Sequence, residues 1–222
     1  MVVPIVLVAA GAAAWFFLTR DGEGLPFIGD DGKEERLFEV PEFEFRIART
    51  ELVPSTGDRT EKTAKVTPEA QAAIEDVSAT MSDLYVAAFL DPNNWRKGRY
   101  NSALGIFQVP AKAAAKKDLE ILTAGTDARK AFRDIQPGIG SLYAKVLTDP
   151  DGKPVSVAVR LSFVARATGR GPERAKLVST GSFILARYGS DWRIVSYDVR
   201  RDDETRTREP AATAAPTSEA TP

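Results

Sequence analysis

The chain has 222 residues, 43% hydrophobic and 27% charged, with 30 Lys and Arg against 31 Asp and Glu, the proportions of one ordinary globular domain with attachments. It has no Cys and no His, which excludes disulfides, Cys/His zinc sites, thiol nucleophiles, Ser-His-Asp triads and histidine general bases. A net charge of −1 also argues against a nucleic-acid partner, and what remains is carboxylate, Tyr, Lys or Arg chemistry, or none.

Residues 2 to 18 (VVPIVLVAAGAAAWFFL) carry no charge and no strongly polar side chain. As a helix they would reach about 26 Å, just enough to cross a bilayer. Pro4 falls in the first turn, where a missing amide hydrogen costs little, and Trp15, Phe16 and Phe17 stand where an interfacial aromatic belt belongs. The segment 1–20 is read as a single-pass anchor. A cleaved secretory signal is the competing reading, disfavoured because no Lys or Arg precedes the apolar run. Orientation rests on Arg20 alone, since the acidic residues that follow carry little topological weight.

Residues 21–67 read as a polar linker; from 19 to 67 there are 8 basic and 12 acidic residues. Within it, a strand is expected at 42–48, where Phe43, Phe45 and Ile47 alternate with Glu42, Glu44 and Arg46. It would add to a sheet edge of this chain or of a partner, or else form a sticky stretch of linker. At the other end, 201–222 holds no large apolar residue and is expected to be a disordered tail.

The folded body is placed at 68–200, with a net charge of +5 against −4 for the linker and −2 for the tail. Thr67 as cap, Pro68 at the first helical position and Glu69 in the first turn announce a helix. Ile74, Val77, Met81, Leu84, Tyr85 and Ala88 continue it for about 23 residues, to just before Asp91-Pro92. A second helical region follows Pro110, and a third is expected at 126–135, capped by Thr126 and stopped by Pro137-Gly138. After Gly140 the period becomes alternating, and four strands are expected: 141–148, 154–167, 175–187 and 192–199. Strands this long are expected to bend, with Gly181 a candidate kink.

Helices first, then a long curved antiparallel meander, describe an α+β cone of about three helices on about four strands. With its closing pattern Ser182-Phe183-Ile184-Leu185 … Asp191-Trp192-Arg193-Ile194, the stretch from 68 to 200 resembles the nuclear transport factor 2-like (cystatin-like α+β) superfamily. An N-terminal anchor and linker make the whole chain similar to two membrane-anchored groups, the mammalian-cell-entry-associated membrane proteins and the inner-membrane assembly subunits of type IV secretion and conjugation machines. That resemblance implies a non-catalytic domain outside the cytoplasm, with the membrane and envelope proteins as partners and a homodimer through the open sheet face as a further candidate.

The enzymatic relatives implied by the same resemblance, polyketide cyclases and ketosteroid isomerases, hold an Asp base in an apolar cone. The alternative function is therefore a small-molecule binder or a carboxylate/Tyr-dependent isomerase or cyclase, with Tyr85, Tyr143, Phe163, Phe183, Trp192 and Tyr197 as candidate pocket lining. Asp76 and Asp83 share a helical face away from the apolar one and read as solvated. Trp95, Arg96, Lys97, Arg99 and Tyr100 interleave cations with aromatics and form a candidate interaction surface. The plainer reading of that run, and of Lys112, Lys116 and Lys117, is a solvated helix face. No catalytic residue, metal ligand or cofactor is assigned: His and Cys are absent, and Gly169-Arg170-Gly171-Pro172 falls in a hairpin turn and matches no phosphate loop.

Overall fold

A computed structural model describes residues 38–54, 66–171 and 173–207, all within the compact unit Leu37–Pro222. The anchor at 1–20 lies outside the described residues, as does 208–222. No helix among the described residues is long and apolar enough to cross a membrane.

The elements run β1 (Arg46–Pro54), α1 (Pro68–Tyr85), a π-helical turn (Val86–Leu90), α2 (Pro92–Trp95), α3 (Asn101–Gly105), α4 (Val109–Ala115), α5 (Leu119–Leu122), α6 (Ala128–Ala131), β2 (Phe132–Thr148), β3 (Pro154–Gly169), β4 (Glu173–Tyr188) and β5 (Asp191–Thr207). This is the expected α+β order of helices before a meander. The sheet has five strands in the order β1-β2-β3-β4-β5, one more than expected. β1 pairs parallel to β2, and the other three pairings are antiparallel.

α1 begins as the sequence predicts. Thr67 accepts the amide hydrogen of Ala70 at 3.2 Å, with Pro68 in the first turn. Ile74, Val77 and Met81 are completely buried on the face toward the sheet. At its end the helix widens, Asp91 N–H bonding to the Val86 carbonyl five residues back at 2.8 Å. In that widened turn the consecutive Ala88, Phe89 and Leu90 are all buried in the core. Asp91 then accepts the Asn93 amide hydrogen at 2.8 Å and starts α2.

Six α-helices stand among the described residues where about three are expected, the region after Pro110 dividing into α4 and α5, and three further boundaries differ. The strand foreseen at 42–48 is centred later, at Arg46–Pro54, and joins the edge of this chain's own sheet. The third helix shrinks to Ala128–Ala131, and Phe132 to Pro137 instead pairs with Ala165 to Gly169 of β3. Pro137-Gly138 therefore terminates nothing; the register slips by one residue between Pro137 and Gly140, a bulge that absorbs the proline. Finally β5 runs on to Thr207, so the first part of the expected tail, 201–207, pairs with Glu173 to Ser179. The pairing register passes unbroken through Gly181 and slips at Ile184/Leu185 instead.

The core fills the space between α1 and the bent sheet. Phe163, fully buried, lies 4.9 Å from the Tyr85 ring, 5.2 Å from Phe89 and 5.1 Å from Phe43 between centroids. Phe43 and Phe45 meet edge to face at 5.0 Å, a favoured geometry for such pairs, and the Phe45 amide donates to Ser82 Oγ at 3.1 Å. Both rings sit on the backbone of Gly140, where a β-carbon would lie 2.4 Å from Phe43 Cζ and 2.9 Å from Phe45 Cδ1. Gly140→Ala must push apart rings that neighbouring aromatics hold in place. It is expected to destabilise the fold by about 1–3 kcal/mol, read as a lower urea midpoint with an unchanged slope.

Candidate functional site

The sheet has two unlike faces, and alternation along each strand decides which residue meets which. In β3, Val157, Val159, Leu161, Phe163, Ala165 and Ala167 are buried beneath the helices. Their neighbours Ala158, Arg160, Arg166 and Thr168 are exposed on the other face.

On the helix side, polar groups are few and paired. Tyr85 Oη and Ser179 Oγ share a hydrogen bond of 2.9 Å in the buried interior, and burial holds the Tyr85 phenol far above its ordinary range. Tyr197 donates to Asp118 Oδ2 at 2.7 Å; burial, then the neighbouring carboxylate, raises its pKa as well. Tyr100 donates to the Gly125 carbonyl at 2.7 Å, its phenol pushed up to about 12, chiefly by burial. Arg201 clips α5 to β5, donating to the carbonyls of Glu120 at 2.9 Å and Thr123 at 2.6 Å and to Asp203 Oδ2 at 2.6 Å. Glu120 is held below the usual carboxylate range by the hydroxyl and amide of Thr126. Asp83 and Asp76 are exposed, and partial burial raises the Asp83 carboxyl.

On the open face the register assembles rows of side chains. One row runs Arg49, Tyr143, Arg160, Ser182, Asp198; the next runs Arg46, Ser141, Ser162, Thr180, Arg200. Short side chains make the floor, and a trough of about 730 Å³ lies over Ser141, Ser162, Thr180, Gly181 and Ser182, bordered by Arg160 and Arg200. A neighbouring trough of about 710 Å³ shares Tyr143, Arg160 and Ser182 and reaches Arg49, Lys145 and Ile184. A third, of about 480 Å³, lies between Arg166, Arg174, Lys176 and Glu204.

The lysines of this face are neutralised. Lys145 pairs with Glu51 at 3.2 Å and Lys176 with Glu204 at 3.2 Å. Glu51 also accepts the Tyr143 hydroxyl hydrogen, which with Lys145 holds its carboxyl low while Glu51 raises the Lys145 ammonium. Arg49 stacks over the Tyr143 ring at 5.8 Å. Arg160, Arg166, Arg174 and Arg200 are exposed and make no ion pair among the described residues.

The residues singled out from the sequence separate accordingly. Tyr85, Phe163, Phe183 and Tyr197 do come together inside the cone, with Tyr85 to Phe183 at 6.4 Å and Phe183 to Tyr197 at 6.5 Å. Tyr143 points to the opposite face, since it is one residue out of phase with the buried Leu142 and Ala144. Trp192 is buried at the start of β5. The stretch from Trp95 to Tyr100 is divided: Trp95 and Tyr100 are core residues, 1% and 2% exposed, so the two rings present no surface. Arg96 lies over the Phe38 ring at 4.2 Å and donates to the Arg133 carbonyl at 2.8 Å. Only Lys97 and Arg99 remain exposed. The open-face arginines and hydroxyls carry no signal in the sequence, because alternate polar residues on a strand look like any solvated face and only strand register brings Arg160 and Arg200 to neighbouring rows.

No family model matches the sequence, and no curated protein matches it. Among solved structures the chain is similar to one from Novosphingobium aromaticivorans, a protein provisionally designated a scytalone dehydratase. The two are 13% identical over 68% of this chain and 97% of that one, with a TM-score of 0.40.

The buried phenols make stability depend on alkaline pH. The folded state retains the Tyr85 and Tyr100 protons beyond the ordinary value of 10.0, whereas the unfolded chain loses them there. Stability is therefore kept below that value and falls as pH rises from it through about 12. Urea titrations at stepped pH are expected to trace this fall, with a shallower slope in Tyr85→Phe and Tyr100→Phe.

Proposed function

We propose that this chain is a non-catalytic interaction module that engages other proteins through the open face of its sheet. The observation that carries this reading is the contrast between the two faces. Phe163, Phe183, Met81 and their neighbours occupy the concavity under the helices, whereas the opposite face offers adjoining troughs of about 730 and 710 Å³ to solvent. Such open, shallow shapes suit a protein surface better than an enclosed small molecule.

The setting belongs to the same proposal. The apolar run from Val2 to Leu18 supports a single-pass anchor, with the domain outside the cytoplasm as part of a cell-envelope assembly like those it resembles. Partners of this surface would be envelope proteins or a second copy of the chain. Exposed Leu147 and Ile184, 40 and 43% accessible, are apolar contacts available on this face.

A second reading, a small-molecule binder or a carboxylate/Tyr-dependent isomerase, is favoured by the Tyr197–Asp118 pair at 2.7 Å beside the aromatic interior. It requires the Tyr85, Phe163 and Phe183 rings to part for a ligand.

The two readings separate by photocrosslinking in cells with the full chain. A photoreactive side chain at Ser182, on the open face, is expected to trap a protein partner or a second copy, while one at Glu75, on the exposed side of α1, is expected to trap neither. Crosslinks from Glu75 with none from Ser182 would remove the open face as the working surface.

A further inference from the structure

The unpaired arginines say which partner chemistry the open face selects, an inference that rests on that face being the working surface. Acidic side chains are present there, but Glu51 and Glu204 are already paired with Lys145 and Lys176 at 3.2 Å each. The linings of the two adjoining troughs include Arg49, Lys145, Arg160 and Arg200 against Asp198; Glu51 is paired with Lys145, and exposed Asp202 follows Arg200 on the same face. The surplus is thus positive and consists of arginine, whose planar guanidinium binds a carboxylate through two parallel hydrogen bonds. The third trough repeats the pattern, with Arg166, Arg174 and Lys176 against Glu204.

Spacing narrows the chemistry further. Arg160 and Ser162 are successive residues of one face, as are Ser182 and Thr180 on the next strand and Asp198 and Arg200 on the last. The two rows therefore repeat at about 6.8 Å along the strands, the distance at which an extended polypeptide presents every second side chain. Between the arginines lie the hydroxyls of Ser162, Thr180 and Ser182, donors that can complete the hydrogen bonding of a bound carboxylate. A second copy of this face would bring the same arginine surplus against itself, and like charges in contact oppose association.

We infer that the open sheet face is a docking site for an extended acidic segment of a partner protein, with Arg160 and Arg200 as its carboxylate-binding residues. The segment lies across the trough over Ser162, Thr180 and Ser182 and places alternate Asp or Glu side chains against the two rows.

The test uses the full-length chain and a fluorescent peptide of about ten residues in which Glu alternates with Ser, long enough to pass over both rows when laid along the strands. Anisotropy is expected to show binding that weakens as salt is raised, and no binding of the same peptide with Gln for Glu. Arg160→Gln and Arg200→Gln are each expected to weaken it roughly three- to tenfold. Both side chains are exposed and unpaired, so the fold should persist, with circular dichroism as the check. Lys116→Gln, an equal charge change on the helical side, is expected to leave binding unaltered. Equal weakening by Lys116→Gln would overturn the inference, because only net charge would then matter. Absence of peptide binding, with Ser182 crosslinks still formed, would also overturn it while leaving the open face as an interface. If those crosslinks are to a second copy and are lost in Arg160→Gln, the occupant is this chain itself and the acidic-segment inference fails.

Discussion

Phe163 is the point on which the rest of the domain depends. It lies on the central strand of a bent sheet, and its ring is reached by Tyr85 and Phe89 from the helix and by Phe43 and Phe45 from the segment before β1. Such a ring contributes about 1.5–3 kcal/mol by leaving water, but only if the concavity closes over it. Closure demands a glycine at position 140 so that Phe43 and Phe45 can lie on the β2 backbone. The π-helical turn at the end of the helix carries Phe89 and Leu90 into the same core. A segment that looks like linker and an irregularity at a helix end are therefore parts of one packing solution.

Much of this was legible from residue order. The Thr67-Pro68 start of α1, its apolar stripe and the alternation through Val157, Val159, Leu161 and Phe163 are local patterns that tertiary packing reinforces. What was missed shares one physical cause, namely backbone pairing between distant segments. Phe132 to Ile135 carries a helical pattern, yet Ile135 can be buried only by joining β3. Residues 201–207 lack large apolar side chains, and it is the ladder with β4 and the Arg201 bonds that hold them. Pairing needs no side-chain hydrophobicity where the sheet is backed by alanines such as Ala167 and Ala175, so composition is a poor guide there.

The candidate site was less legible than the fold. Aromatics and cations interleave contiguously from Trp95 to Tyr100 and so suggest a surface, but Trp95 and Tyr100 turn inward to anchor the helical layer. Arg160 and Arg200 come from strands separated by β4 and are joined only through Ser182 and Thr180 between them. No local signal can reveal such a cluster, since its members are ordinary solvent-facing positions until register is known.

The distribution of charge on the sheet is better explained by occupancy than by stability. An exposed ion pair contributes at most about 1 kcal/mol, so pairing Lys145 with Glu51 and Lys176 with Glu204 does little for the fold. Those pairs do remove lysine charge from the face and leave arginine, the less hydrated and more directional cation, as the group still able to bind. The floor between Arg160 and Arg200 is built from Ser and Thr where Val or Ile would strengthen a strand surface. A sheet face selected for solubility alone would mix its signs evenly. This one separates spent cations from available ones across a shallow polar trough, as a surface that reads carboxylates in an extended chain requires.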